Sequence, residues 1–168
     1  VFCPATVGRM DGLRFHAIDS PIGTIGLVVS DAGVAKVLLA ADGIDEERER
    51  IGELAEVPLA ARQLEEYFAG RRREFTVPLD FRFAGGFRAA VLAELAKVPF
   101  GTTTTYGALA RAAGNPNAVR AVGGACSHNP LPILVPCHRV LRSDGALGGY
   151  RGGAEAKRRL LALEGIHV

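Results

Sequence analysis

Between residues 13 and 40 apolar side chains alternate with polar or small ones, and from residue 87 onward they recur at helical spacing. A period of two marks half-buried strands and a period near 3.6 marks helices, so one chain must build a sheet and then a helical part. Leu13 to Ile18, Thr24 to Val29 and Val34 to Leu39 are separated by Asp19-Ser20-Pro21-Ile22-Gly23 and Asp31-Ala32-Gly33, which predicts a three-stranded antiparallel meander. The acidic residues 41–57 read as a solvated helix or loop. Pro58 opens an amphipathic helix with Leu64, Tyr67 and Phe68 on its apolar side, and Gly70 closes it. Phe75 to Leu79 alternates again and predicts a strand paired with the meander.

Around Asp80 to Gly86 two glycines interrupt the pattern and the charge changes sign. Residues 1–80 hold 9 Lys+Arg against 14 Asp+Glu, and residues 81–168 hold 11 against 4. A boundary there divides the chain into an N-terminal α/β unit (13–82) and a C-terminal unit (83–168). Residues 1–12 read as a disordered arm or a vector-derived remnant. Phe87, Val91, Leu95 and Val98 share one helical face. A second helix starts after the hydroxyls of Thr102 to Thr105, carries Tyr106, Leu109 and Ala110, and closes at Gly114. Asn115-Pro116-Asn117 turns into a third helix, Ala118 to Cys126, whose only charge is Arg120. That pair is a helix-turn-helix candidate. The small residues of the third helix suit either close packing on a neighbour or entry into a nucleic-acid groove.

The chemistry concentrates in Ile133-Leu134-Val135-Pro136-Cys137-His138-Arg139-Val140. Three apolar residues read as a short buried strand stopped by Pro136, which puts the Cys137 thiol at the end of a rigid element. His138 and Arg139 give the sulfur an electropositive setting, the kind that raises a thiolate fraction. Neighbours in an extended chain point to opposite faces, so the chain must turn at Cys137 if thiol and imidazole are to cooperate. The bland alternative is a small buried hydrophobe, but a polar pair directly after the cysteine interrupts the apolar run that a core would continue. Downstream, Gly148-Gly149-Tyr150-Arg151-Gly152-Gly153 fits no phosphate-binding fingerprint and reads as a loop that lets backbone approach a flat ligand. A last helix, Ala154 to Glu164, is basic through Lys157, Arg158 and Arg159. It delivers Glu164 either as a solvated helix end or as a partner for His138.

Three cysteines (Cys3, Cys126, Cys137) form no even disulfide framework and no Cys-x-x-Cys pair. No cysteine or histidine lies between His16 and Cys126, which argues against a metal site. No apolar run approaches a membrane span and no signal peptide opens the chain; a reducing cytoplasm and no membrane partner are expected. The basic C-terminal half fits either a solvated surface or a polyanionic partner.

Pro136-Cys137-His138-Arg139-Val140, together with Arg120-Ala121-Val122-Gly123-Gly124-Ala125, Asn129-Pro130 and the glycine-rich loop, resembles the O6-alkylguanine-DNA alkyltransferases, the methylated-DNA protein-cysteine methyltransferases. The resemblance spans about Phe87 to Gly165. It is weaker upstream, at Asp19-Ser20-Pro21-Ile22-Gly23 and Tyr67-Phe68-Ala69-Gly70. It implies a two-part α+β fold, an RNase H-like N-terminal sheet with a helix before a helical domain that holds the helix-turn-helix and the active-site loop. It further implies DNA repair in which Cys137 takes the alkyl group from O6-alkylguanine, and from O4-alkylthymine, irreversibly and once per molecule. By resemblance Glu164 and His138 act through a water to draw the proton from Cys137. Tyr106 rotates the target phosphate and donates to the leaving base, and Asn129 ties the helix-turn-helix to the active-site loop. Arg120 fills the gap left by the flipped nucleotide, with Ala121, Gly123 and Gly124 on the same helix against the minor groove. Cys137, Val140 and Arg151 read the base through their backbone, while Pro132 and Tyr150 wall the pocket. The implied partner is double-stranded DNA carrying O6-alkylguanine, bound by a monomer whose cooperativity on DNA stays open, with no cofactor and no metal.

The sequence departs from the family in having no tryptophan, with Leu92 where many members carry one, and in placing Arg151 where others have a smaller residue. It also lacks the N-terminal zinc ligands of some relatives and the four-cysteine phosphotriester domain of others. Three alternatives compete: a non-catalytic alkylated-DNA lesion-binding protein, a helix-turn-helix regulator and a cysteine hydrolase. Cys137 opposes the first, and the lack of bulky base-reading side chains on the third helix opposes the second. The third predicts turnover on an ester or amide, where a self-alkylated protein makes one product per molecule.

Overall fold

The computed structural model describes residues 12–54 and 56–168; the arm expected at 1–12 lies, Gly12 apart, outside them. The meander forms as its alternation predicts: β1 (Arg14–Ile18), β2 (Ile25–Ser30) and β3 (Gly33–Leu38) pair antiparallel in the order β1-β2-β3, with a register shift between Val28 and Val29. One face buries Leu13, Phe15, Val28, Ala35 and Leu38. The other contributes Ile25, Leu27, Val34 and Val37 to the main core.

Both edges of this sheet are covered, which removes a template for aggregation. At β1, the Phe15 amide donates to the Gly52 carbonyl (2.9 Å) and Leu54 donates back to Phe15 (2.7 Å). At β3, Val34 donates to the Pro78 carbonyl (2.9 Å) and Asp80 donates to Val34 (2.8 Å). Phe75 to Leu79 was expected as a further strand; instead it makes a single parallel bridge, Val34 to Leu79. Pro78 carries no amide hydrogen, so it cannot extend a ladder. Further along β3, Val37 donates to the Pro130 carbonyl (2.8 Å), which fastens the sheet to the loop that leads into Cys137.

The acidic stretch forms α1 (Ile44–Ile51), which buries no residue and starts with Asp45, Glu46 and Glu47, as a helix dipole prefers. Pro58 caps α2 (Leu59–Phe68), whose buried face is Ala60, Ala61, Leu64 and Tyr67. α3 (Gly86–Leu95) buries Val91, Leu92 and Leu95, so Leu92 fills its core position without an indole. Thr105 is the N-cap of α4 (Tyr106–Ala112), its Oγ1 accepting from the Ala108 amide at 3.1 Å. A tight turn held by Asn115 Oδ1 and the Asn117 amide (3.2 Å) leads to α5 (Val119–Ser127), and α6 (Ala154–Leu163) follows the glycine-rich loop. A short parallel pair, β4 (Thr104–Thr105) with β5 (Val140–Leu141), joins the start of α4 to the end of the cysteine loop.

Residues 133–135, expected as a buried strand, form a buried turn. Ile133 stands at φ 74°, the only non-glycine with positive φ among the described residues. For a β-branched side chain that costs about 1–3 kcal/mol. Asn129 captures the backbone there: its Oδ1 accepts from the Leu131 amide (2.9 Å) and its Nδ2 donates to the Val135 carbonyl (2.9 Å). Pro130, Pro132 and Pro136 offer no amide for a ladder, so the side-chain clip wins over strand pairing.

Candidate active site

Cys137 opens a 3-10 turn, Cys137–Arg139, so the chain does bend at the cysteine. Cys137 is 4% exposed and His138 fully buried. Behind them Glu164, at the end of α6, forms the centre of a buried polar cluster. Its Oε1 accepts from His138 Nε2 (2.8 Å), Arg139 Nη2 (2.8 Å) and the Tyr67 hydroxyl (2.7 Å). Its Oε2 accepts from Arg139 Nε (2.8 Å) and the Gly101 amide (3.2 Å). Arg139 is held in turn by the Val98 carbonyl (2.6 Å).

Electrostatics follow from this burial. Desolvation alone would raise the Glu164 carboxyl, but the donors from His138, Arg139 and Tyr67 overcome it and hold the pKa at about 2. Burial lowers the His138 pKa against the pull of Glu164, so the imidazole is neutral at neutral pH. With Glu164 ionised, Nε2 is the nitrogen that carries the proton. Nδ1 is then left as a buried acceptor with no partner among the described residues. Burial raises the Cys137 thiol, opposed by Asn129, Lys157 and Arg151, so at rest the sulfur keeps its proton and needs a base to become a nucleophile.

In front of Cys137 lies a cavity of ≈ 430 Å³ that also meets Tyr106, Gly123, Cys126, Tyr150 and Arg151. A shallower groove of ≈ 500 Å³ shares Tyr106, Gly123 and Gly149 with it and runs past Arg120 and Arg142. Tyr106 therefore stands between groove and cavity. Gly148, at φ 70°, permits this, because a Cβ there would lie 3.0 Å from the Tyr106 oxygen. Arg120 and Ala121 are exposed on α5. A Cβ at Gly123 or Gly124 would meet nothing within 4 Å among the described residues, so packing against them does not require their small size. The small residues of α5 thus divide: Ala125 packs in the core beside Val122, while Ala121 is exposed and Gly123 and Gly124 are only half-buried.

The predicted residues are thus largely brought together, with two displacements. Pro132 and Val140 are buried and are not among the residues lining the cavity. The Val140 carbonyl accepts from Lys157 Nζ at 2.6 Å. The Arg151 side chain lines the cavity mouth but ion-pairs with Asp42 (2.7 Å), tying the glycine-rich loop to the turn after β3. Sequence reasoning missed Tyr67, Lys157 and Asp42 as site residues. Lys157 looked like part of a solvated basic face, yet it is fully buried, and burial lowers its pKa. It also missed Cys126, whose thiol burial pushes up to about 12 and which shares the cavity with Cys137.

Fold and site together define an α+β protein in which a buried cysteine, backed by a histidine–glutamate pair, stands beside a helix-turn-helix. Comparison with known proteins narrows that class. Residues 13–81 match the ribonuclease-like domain of 6-O-methylguanine DNA methyltransferase, and residues 86–166 match its DNA-binding domain. The chain is 42% identical over 161 residues to a methylated-DNA–protein-cysteine methyltransferase of Mycolicibacterium paratuberculosis, covering 92% of this chain and 94% of the relative. It is 36% identical to the constitutive enzyme of that name from Bacillus subtilis, covering 90% and 95%. The crystal structure of Mycobacterium tuberculosis O6-methylguanine methyltransferase superposes with a TM-score of 0.82 at 38% identity, covering 90% and 92%. A structure of the M. tuberculosis protein in complex with DNA gives 0.79 at 39%, covering 90% and 93%. The chain belongs to the 6-O-methylguanine DNA methyltransferase family.

Proposed function

We propose that this protein repairs alkylated duplex DNA by moving the alkyl group from O6 of guanine to the sulfur of Cys137. The observation that carries this is the buried His138, fixed through Nε2 on Glu164 and with Nδ1 unpartnered among the described residues, directly after a protonated Cys137 thiol that lines a cavity of ≈ 430 Å³. The thiol proton passes to Nδ1 through a water, Sγ attacks the alkyl carbon, and the carbon–oxygen bond breaks with its electrons going to the base. Tyr106 donates to the leaving guanine and is reprotonated from the solvent-connected groove. Burial raises its pKa, so it is a phenol and not a phenolate. The thioether has no route back to the thiol, which makes each molecule good for one transfer.

The target atom lies inside a duplex, so the nucleotide must leave the stack, at a cost of a few kcal/mol. Arg120 fills the gap, a role supported by its exposure on α5 at the groove. Ala121, Gly123 and Gly124 give that helix a low profile for the minor groove. Tyr150 and the backbone of Cys137 and Arg151 serve recognition of the base. Pro132 and Val140 act from behind, as support for the cavity wall. Asn129 keeps the cysteine turn in register with α5. Intact mass and peptide mapping after incubation with a duplex bearing one O6-methylguanine test the proposal. The expected result is a gain of one methyl on Cys137, stoichiometric and then exhausted. Binding with no mass gain would replace it with lesion recognition alone.

A further inference from the structure

Tyr67 belongs to α2, in the half of the chain that carries none of the reacting groups, yet its hydroxyl reaches Glu164 Oε1 at 2.7 Å. Nothing lets it move elsewhere. Its ring is fully buried against Phe68 (5.3 Å), Phe75 (5.4 Å) and Phe100 (6.2 Å), and Phe100 also packs under the Arg139 guanidinium. Burial, and then the Glu164 charge, raise the phenol pKa, so it remains a donor at every working pH.

A carboxylate oxygen offers about two lone-pair sites. Oε1 of Glu164 receives three donors, from Tyr67, His138 and Arg139. The three compete for the same electron density, so each hydrogen bond is weaker than it would be with one rival removed. We propose that Tyr67 is a positioning residue of the transfer reaction: its hydroxyl holds Oε1 in place and limits how strongly Glu164 draws on His138 Nε2–H, keeping the imidazole neutral and Nδ1 available. This rests on His138 being the proton acceptor for Cys137. The charged groups that face the imidazole are Glu164 and Lys157 from α6, Arg139 from its own turn and, through Glu164, Tyr67 from α2. The loop before β4 contributes only uncharged groups to the cluster, the Gly101 amide to Glu164 and the Val98 carbonyl to Arg139. Glu164 favours the charged imidazole, while Arg139 and Lys157 oppose it. Removing the tyrosine hydroxyl strengthens the hydrogen bonds of both His138 and Arg139 to Oε1, while the charges of Arg139 and Lys157 stay in place.

Tyr67→Phe keeps the ring and removes only the donor. Two readouts on wild type and variant decide the matter: the single-turnover transfer rate on an O6-methylguanine duplex between about pH 5 and 9, and the ring-nitrogen NMR titration of His138. Transfer needs a neutral His138, so the rate falls below its pKa. The expected result is an upward shift of both midpoints by about half a pH unit or more, so that the variant loses activity at mildly acidic pH and nears wild type when alkaline. Unchanged midpoints, with or without a uniform loss of rate, would overturn the proposal. Failure of Tyr67→Phe to fold would overturn it too, because the hydroxyl would then serve stability. A wild-type rate that does not follow the His138 titration would instead remove His138 as the acceptor, and the NMR shift alone would still show whether Tyr67 tunes the pair.

Discussion

Two regions of this molecule are dense in charge, and they use it in opposite ways. On α1, Asp45, Glu47, Arg48 and Arg50 pair along a helix surface that buries no residue. Around Glu164, one carboxylate meets His138, Arg139 and Tyr67 with almost no solvent. Exposed pairs gain little, about 0.2–1 kcal/mol each, because water screens them. Breaking a buried pair by removing one partner costs about 3–5 kcal/mol, since the partner left behind is still desolvated. Charge density along the sequence therefore says little about where chemistry happens; charge under cover says much more.

The contrast can be broken most severely at Glu164. Glu164→Ala strands Arg139 and the Tyr67 hydroxyl, and an unfolding free energy lower by about 3–5 kcal/mol is expected in urea titrations, together with loss of methyl transfer. Its pH dependence has a definite sign. The folded pKa of about 2 lies below the ordinary 4.5, so Glu164 contributes stability that is complete above 4.5 and lost as pH falls toward about 2. Stability of the Ala variant should decline less steeply over that window. Asn129→Ala comes next. It leaves the Leu131 amide and the Val135 carbonyl unpaired in a buried turn, and a loss of roughly 2–4 kcal/mol by the same titration is expected. At the other end, Asp45→Ala on α1, which removes an exposed carboxylate paired with Arg48 at 3.1 Å, should change stability by less than about 1 kcal/mol, and added salt should reduce the difference. A large effect there would overturn the comparison.

How much of this was legible beforehand follows the same division. The meander, α2, the α4–α5 pair and the bend at Cys137 were readable because each depends on local spacing, caps and turn residues. The turn at 133–135 was not, because an amide side chain at Asn129 outcompetes the strand that Ile133-Leu134-Val135 suggests. Charge puts Lys157 on a basic face and periodicity puts Tyr67 on an apolar one. Periodicity locates a face and is blind to a polar atom at its tip, and the Tyr67 hydroxyl finds its partner 97 residues away. Long-range polar partners of this kind carry no local signature.

The main hydrophobic cluster runs without interruption from Ile18 in the sheet to Leu160 in α6. The segments matched by two separate family domains thus share one interior, and Cys137 is part of it. Each half supplies the other's apolar wall, so a single cooperative thermal transition is expected. The thiol is therefore guarded kinetically as well as sterically. Oxidants that cannot enter the cavity gain access to it only when the structure around the cysteine turn opens.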